Sequence, residues 1–164
     1  LGDVYKRQNF DSKSFNIINS YKVPFILHHM QGTPDTMQKS PSYQNVVSEV
    51  YDWLKEAVDH AVDKGVREDL IIVDPGIGFG KTLDHNIALL SCGRSIVPDD
   101  RMNLMWGVSR KSMFLDLLGR EDSEDRLAGT LGVAAISPEK EVDIIRVHDV
   151  AEHSDSFKAM KAVR

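Results

Sequence analysis

The residues best equipped for chemistry stand in four short clusters, each at the end of an apolar run. The most telling is Leu70-Ile71-Ile72-Val73-Asp74-Pro75-Gly76-Ile77-Gly78-Phe79-Gly80-Lys81-Thr82. Its apolar, mostly β-branched start reads as a strand buried on both faces, as in a parallel sheet. Asp74 then sits at the C-terminal end of that strand, where α/β folds place ligand chemistry. Pro75 cannot donate to a ladder, so the strand stops there. Gly76, Gly78 and Gly80 let the backbone turn sharply and approach a ligand. A buried carboxylate is costly unless partnered, and a ligand bearing N–H donors would partner Asp74.

The other clusters are His28-His29, Ser109-Arg110-Lys111-Ser112 and Arg146-Val147-His148-Asp149. Arg146 and His148 are two apart and share a face of an extended chain, which suits an anion pocket. His28 and His29 point to opposite faces, so they cannot act as one metal pair; each is read as structural. Lys111 is read as a functional cation, while Arg110 is left open between function and surface charge. The segment Gly76-x-x-x-Gly80-Lys81-Thr82 imitates a phosphate-binding P-loop. That motif needs four residues between its glycines where this chain has three, and Pro75 occupies the first glycine's place.

The elements that must carry these clusters alternate. A helix is expected over Phe10 to Tyr21 with Phe15, Ile17 and Ile18 as its apolar residues, then a strand from Val23 to Met30. Gln31-Gly32-Thr33-Pro34-Asp35 is a loop by its turn chemistry. Val46, Val47, Val50, Trp53, Leu54, Ala57, Val58, Ala61 and Val62 recur at helical spacing, and Gly65 ends that helix. After the Asp74 strand come a helix from Asn86 to Cys92, a strand from Asn103 to Val108 and a helix from Ser112 to Leu118. Ser123 reads as the N-cap of a helix to about Ile136. Asp143 to Val147 is the fourth strand, and Ser154 or Asp155 caps the last helix. His60 and His153 are read as surface residues, Trp53 as core packing and Cys92 as a small buried residue.

Strand and helix thus alternate four times, which implies a parallel sheet packed by helices. Polar residues at every strand end imply a rim like that of a βα-barrel, yet a full barrel needs eight units and about 250 residues. The chain has 164 residues, 41% of them hydrophobic, enough for one domain with a core. Its net charge of −5 argues against a nucleic-acid surface. The single cysteine, Cys92, excludes an internal disulfide framework and fits a reducing cytoplasmic compartment. No apolar run approaches the roughly 20 residues of a membrane span, and no signal peptide is visible. Residues 1–10 have no clear period and are set aside as an unassigned leader, foreign origin being one reading of it. Residues 11–164 are taken as the domain.

Four motifs in order resemble dihydropteroate synthase. They are His29-Met30-Gln31-Gly32-Thr33-Pro34 with Met37-Gln38; Asp74-Pro75-Gly76-Ile77-Gly78-Phe79-Gly80-Lys81 followed by His85-Asn86; Gly107-Val108-Ser109-Arg110-Lys111-Ser112; and Ile145-Arg146-Val147-His148-Asp149-Val150. The resemblance covers residues 11 to 164 and implies the last four βα units of a (βα)8, or TIM, barrel. It implies a transferase of folate biosynthesis that joins p-aminobenzoate to 6-hydroxymethyl-7,8-dihydropterin diphosphate, with Mg2+ on the leaving pyrophosphate. By resemblance, Asp74 holds the pterin N–H groups and Lys111 bonds the pterin from the opposite side. Phe79 lies near the arylamine and Ser109 near its carboxylate, while Arg146 and His148 form the pyrophosphate pocket. Lys111, Arg146 and His148 are the candidate catalytic residues. The family's metal-side asparagine falls outside the matched half, so no metal ligand is expected in this chain. The resemblance further implies small-molecule partners, no nucleic acid, no membrane and a homodimer for the full-length enzyme.

Two departures stand out. His28 occupies a place where an apolar residue, often methionine, is expected, and Ser137-Pro138-Glu139-Lys140-Glu141-Val142 replaces the usual Gly-Ala approach to the last strand. Alternative readings are a pterin-dependent methyltransferase domain, which the Ser109-to-Ser112 segment argues against, and a non-catalytic pterin-binding chain. Four units would leave a barrel unclosed. Bare edges are then expected at Phe25 and Ile145, and the inward residues Ile72 and Met105 would lack opposing side chains. On that basis the chain is expected to associate with itself and to be a poor catalyst alone.

Overall fold

A computed structural model of the chain describes residues 2–5 and 12–163. Five parallel strands lie in sequence order: β1 (Gly2–Tyr5), β2 (Phe25–His28), β3 (Ile71–Asp74), β4 (Asn103–Trp106) and β5 (Ile144–Ile145). The helices are α1 (Ser12–Tyr21), α2 (Val46–Asp63), α3 (Leu83–Cys92), α4 (Met113–Leu118), α5 (Leu127–Ala135) and α6 (Val150–Val163). Parallel neighbours cannot be joined by a tight turn, so each pair is bridged by a helical crossover.

The strand period of two sorts the apolar side chains into two layers. Phe25, Leu27, Ile71, Val73, Leu104 and Trp106 join the core that the helices cover, with Val50, Leu54, Ala57, Val58 and Ala61 of α2 as its main cover. Ile26, Ile72 and Met105 face the other way and form a second cluster with Ile144 against it. The residues that continue this second face beyond the clusters are His28, Asp74, Gly107 and Arg146. The register sets His28 beside Asp74, and Trp106 beside Ile145. The strand pleat alone therefore delivers four site positions to one side.

The helix starts are fixed by side chains. The Asn45 carboxamide oxygen accepts from the N–H groups of Val47 and Ser48, both at 3.1 Å. The Glu49 carboxylate reaches back to the N–H groups of Gln44 and Asn45 at 2.7 and 3.0 Å. At α3 the Thr82 hydroxyl caps the His85 N–H, and the His85 ring accepts the Thr82 N–H in return, a capping box with histidine in the glutamate position.

Several expectations are corrected. The set-aside leader contains a strand: β1 pairs with β2 from Gly2 against Phe25 to Tyr5 against His28. The strand at Phe25 is therefore not an edge. Ile26, Ile72 and Met105 are 3%, 4% and 3% exposed, so the inward apolar surface invoked for self-association is covered. The rest of 1–11 lies outside the described residues, as does the Phe10 end of the first helix, in which Phe15 and Ile18 are buried but Ile17 is exposed. Ser123 caps nothing with its side chain. Its backbone is already helical, a 3-10 turn follows at Glu124–Arg126, and Asp122 accepts the Glu124 N–H instead. The last helix starts at Val150, so Ser154 and Asp155 lie inside it. His153 is buried with α6, its Nδ1 2.7 Å from the Asp149 carbonyl, and is not a surface residue. Cys92 is half-buried.

Among the glycines, Gly76 makes the closest backbone approach. Its φ is +73°, and a Cβ there would meet the His29 carbonyl oxygen at 1.8 Å. Gly119 has a similar φ of +68° with nothing within 4 Å. The left-handed conformation costs an L-residue about 1–2 kcal/mol. Gly119→Ala should therefore lose about 1 kcal/mol in urea unfolding, and Gly76→Ala about 3 kcal/mol or more because backbone must move as well. Equal losses for the two variants would refute the steric account of Gly76.

Candidate functional site

The β3 strand end builds the floor. Asp74 is 1% exposed. Its Oδ1 accepts the Gly76 N–H at 2.8 Å, and its Oδ2 takes no hydrogen bond among the described residues. The nearest cation, the Arg146 guanidinium, is 3.9 Å from Oδ2, too far for a hydrogen bond. Burial pushes the carboxyl up to about 6, against the pull of the Gly76 N–H and of Arg146, Lys111 and Lys81. An ionisable group shifted by desolvation with one oxygen left open is a strong candidate for ligand contact.

Beyond Asp74 the glycine loop folds against the β2 loop. The His29 N–H donates to the Asp74 carbonyl at 3.0 Å, and the Phe79 N–H closes a turn on the Gly76 carbonyl at 3.1 Å. Asn86 of α3 accepts the Gly78 N–H at 2.7 Å. Gln38 and Tyr43 donate to the carbonyls of Gly78 and Gly80 at 2.6 and 3.0 Å. The loop thus presents Phe79 in a fixed place. The Lys111 ammonium lies 3.8 Å from the centre of that ring, and His28 meets it edge-on at 4.5 Å. Burial, ahead of its charged neighbours, lowers Lys111 to about 8.

His28 and His29 divide as the strand pleat dictates. Burial and nearby Lys81 hold His28 down to about 3 and His29 down to about 2, so both rings are neutral. His29 stands on the helix side, edge-on to Trp53, with Nδ1 2.9 Å from the Lys81 ammonium. Lys81 is 4% exposed and also donates to the Phe79 carbonyl at 3.0 Å. Burial lowers it to about 7. Sequence reasoning gave Lys81 no role beyond its place in the Asp74-to-Lys81 motif. A lysine inside a glycine loop flanked by apolar runs was the available signal.

The β4 and β5 loops are tied by two neighbouring pairs. The Ser109 hydroxyl is 2.8 Å from His148 Nδ1 and accepts the His148 backbone N–H at 3.1 Å. Arg110, at φ +56°, grips Asp149 through Nε at 3.1 Å and Nη2 at 2.5 Å, and pairs with Glu124 as well. The forked Arg110 contact holds the Asp149 carboxyl below its usual range. Arg110 is thus committed to structure. The ladder runs past β5, since Arg146 N–H donates to the Trp106 carbonyl at 2.9 Å. Gly107 leaves room for the guanidinium, because a Cβ there would stand 2.9 Å from Arg146 Nη2.

A cavity of about 160 Å3 is lined by Phe79, Gly107, Ser109, Lys111, Arg146, Val147 and His148. It gathers every sequence-predicted site residue except Asp74, whose Oδ2 lies 3.9 Å from the Arg146 of its lining. A larger cavity of about 620 Å3 lies between the β2 loop and α2, lined by His29, Tyr43, Trp53, Glu49, Asp52 and Glu56 among others. None of the expected ligand residues lines it, and only one strand end reaches it. The smaller cavity, where strand ends and cations converge, is therefore the candidate site. The cations of its lining, with the Asp74 carboxylate 3.9 Å from Arg146, suit an anionic ligand with N–H donors. Among the described residues no three His, Cys, Asp or Glu side chains gather to hold a metal ion.

Comparison with known proteins gives the same direction. The family described as pterin binding enzyme matches residues 2–148. The dihydropteroate synthase of Neisseria meningitidis serogroup B is 40% identical over 139 residues, which is 84% of this chain and 49% of that protein. The dihydropteroate synthase of Escherichia coli K12 is 39% identical over 142 residues, 85% of this chain and 49% of that protein. Among solved structures, Yersinia pestis dihydropteroate synthase with a sulfonamide drug complex matches at TM-score 0.85 and 32% identity over 94% of this chain and 56% of the other. The Xanthomonas albilineans enzyme in complex with 7,8-dihydropteroate matches at TM-score 0.83 and 30% identity over 94% and 55%. This chain spans about half the length of the curated relatives it matches. Its sheet order is that of a partial barrel of this kind. With its family match running from β1 into the β5 loop, and the Asp74, Lys111 and Arg146 strand ends around one cavity, the chain belongs to the pterin-binding enzymes.

Proposed function

We propose that this chain carries the pterin and anion side of a dihydropteroate synthase site. In that reaction the amine nitrogen of p-aminobenzoate attacks the methylene carbon of 6-hydroxymethyl-7,8-dihydropterin diphosphate. A C–N bond forms, the C–O bond to pyrophosphate breaks, and the amine loses a proton. The observation that carries the reading is the open Oδ2 of buried Asp74, 3.9 Å from the Arg146 guanidinium of a cavity that Lys111 and His148 also line.

Each role rests on chemistry. Asp74 accepts the pterin N–H groups as a carboxylate. Lys111, held on the Phe79 face, bonds the pterin from the other side, and Phe79 borders the arylamine. Ser109 stands at the rim near the arylamine carboxylate, its hydroxyl already engaged by His148. Arg146 and His148 take the pyrophosphate and stabilise the charge that grows on it as the C–O bond breaks. Magnesium, expected by resemblance, would sit on the leaving pyrophosphate and draw off its developing charge; among the described residues no cluster of His, Cys, Asp or Glu gathers to hold it. The reading includes residues 11–164 as one domain, with β1 as an addition to it. A cytoplasmic location and a homodimeric full-length enzyme come with it by resemblance alone. Titration with pterin, followed by p-aminobenzoate and the pterin diphosphate, tests the activity. Product supports the transferase, and binding without product supports the non-catalytic alternative.

Asp74→Asn separates function from stability. An acid whose folded value is raised, here to about 6 from an ordinary 3.8, costs stability. The cost is absent below the unfolded value, grows as pH rises through the two values, and is complete above 6. Asn keeps an acceptor for Gly76 N–H and removes the buried charge. At pH 7.5 the variant should be at least as stable as the parent, while pterin affinity falls tenfold or more, roughly the 1–3 kcal/mol of an unmade buried contact. Parent-like pterin affinity would end the Asp74 assignment.

Arg146→Ala should weaken the diphosphate substrate far more than free hydroxymethyl-dihydropterin, as measured by calorimetry. Gly107→Ala should give the same pattern, because its Cβ occupies the guanidinium's path. If both ligands lose equally in Arg146→Ala, the anion-pocket role is wrong.

A further inference from the structure

We infer that Ser109 is a positioning residue for His148: it holds the imidazole as the Nε2–H tautomer, a neutral donor facing the anion cavity. Protons around the Ser109 oxygen can be counted. The Ser109 oxygen lies 3.1 Å from the His148 backbone nitrogen and 2.8 Å from its ring Nδ1. A backbone N–H can only donate, so the hydroxyl oxygen accepts it. The hydroxyl owns one proton. Ser109 is 7% exposed, and His148 Nδ1 is the acceptor that its hydroxyl meets among the described residues. Donation to Nδ1 makes use of that proton and leaves Nδ1 without one. The ring proton then sits on Nε2.

Two further features serve the same end. The backbone N–H and the ring of one residue are bound by one oxygen, which fixes both the chain and the ring rotation of His148. The neighbouring Arg110–Asp149 grip holds the residue after His148 and so keeps the β5 loop at that distance. His148 lines the cavity with Arg146 and Lys111. In this tautomer Nε2 carries the proton that an anionic oxygen can accept, with no second proton needed on the ring. The assignment of that cavity to pyrophosphate rests on the proposed function, whereas the tautomer does not.

The test uses the chain itself with 15N-labelled histidine. Long-range proton–nitrogen spectra at pH 8 report the tautomer, and the His148 signals are assigned by their loss in His148→Gln. The parent should show His148 with its proton on Nε2. Ser109→Ala should move it toward a tautomer mixture, and Ser109→Thr, which keeps the hydroxyl, should restore it. Inorganic pyrophosphate binding, followed by calorimetry, should fall on the order of tenfold in Ser109→Ala and recover in Ser109→Thr. A parent His148 protonated on Nδ1, or a tautomer unchanged in Ser109→Ala, overturns the inference, and the parent spectrum decides even where a variant folds poorly. A parent with the expected tautomer but no affinity for pyrophosphate supports the Ser109 assignment and removes the anion-pocket reading.

Discussion

One carboxylate buried at a strand end, with a single backbone N–H to hold it, is the constraint from which the rest of this site follows. Asp74 gets one hydrogen bond from Gly76 and leaves its second oxygen open. Only a residue without a Cβ could bring that N–H round, because the His29 carbonyl occupies the space a side chain would need. The same close approach locks β2 to β3, through His29 N–H on the Asp74 carbonyl. The turn that supplies the acid's one partner also defines where the glycine loop must go. Phe79 and Lys81 take their places from that loop.

The electrostatics around Asp74 are lopsided. Lys81, Lys111 and Arg146 all act on it, yet none comes within hydrogen-bonding distance of Oδ2. Burial lowers both lysines and raises the acid, so all three groups sit closer to neutrality than they would in water. Natural proteins tend to keep such arrangements where a ligand, and not the fold, supplies the missing partner. Of the three cations the arginine is the most open to solvent, its side chain 46% exposed, while Lys111 is half-buried and Lys81 buried. That suits a group waiting for a soluble anion better than one bound into an internal ion pair.

Much of this was legible in the sequence because it follows from strand period and glycine chemistry. The Asp74 strand, α2 with its end at Gly65, and the shared face of Arg146 and His148 needed only local pattern; the Asn45 cap of α2 was not read from it. The opposite faces of His28 and His29 followed from the pleat and no more. What was not legible depended on long-range partners. β1 carries no period of its own and becomes a strand because β2 has an edge to offer. Ser123 looked like a cap, but Asp122 reaches the N–H first. His153 looked like a surface residue, though α6 starts early enough to bury it. Arg110 was undecided because nothing local reveals Asp149, thirty-nine residues on, as its partner.

Lys81 shows how the two sides of the sheet are coupled. It stands in the loop that carries Phe79, yet its ammonium crosses to His29 on the helix side. A cation so buried is tolerated because a neutral imidazole and a carbonyl accept from it, and because Asp74 favours its charge. His29 in turn is kept neutral by burial and by that same ammonium. Its neighbour His28, one step along the strand, is kept neutral for the same reasons but faces Phe79 on the site side. Two adjacent histidines thus brace the same aromatic residue from opposite faces of the sheet, one on its ring and one, through Lys81, on its backbone. The place of Phe79, and of the Lys111 ammonium resting on it, is thus set by that pair as well as by the glycine loop.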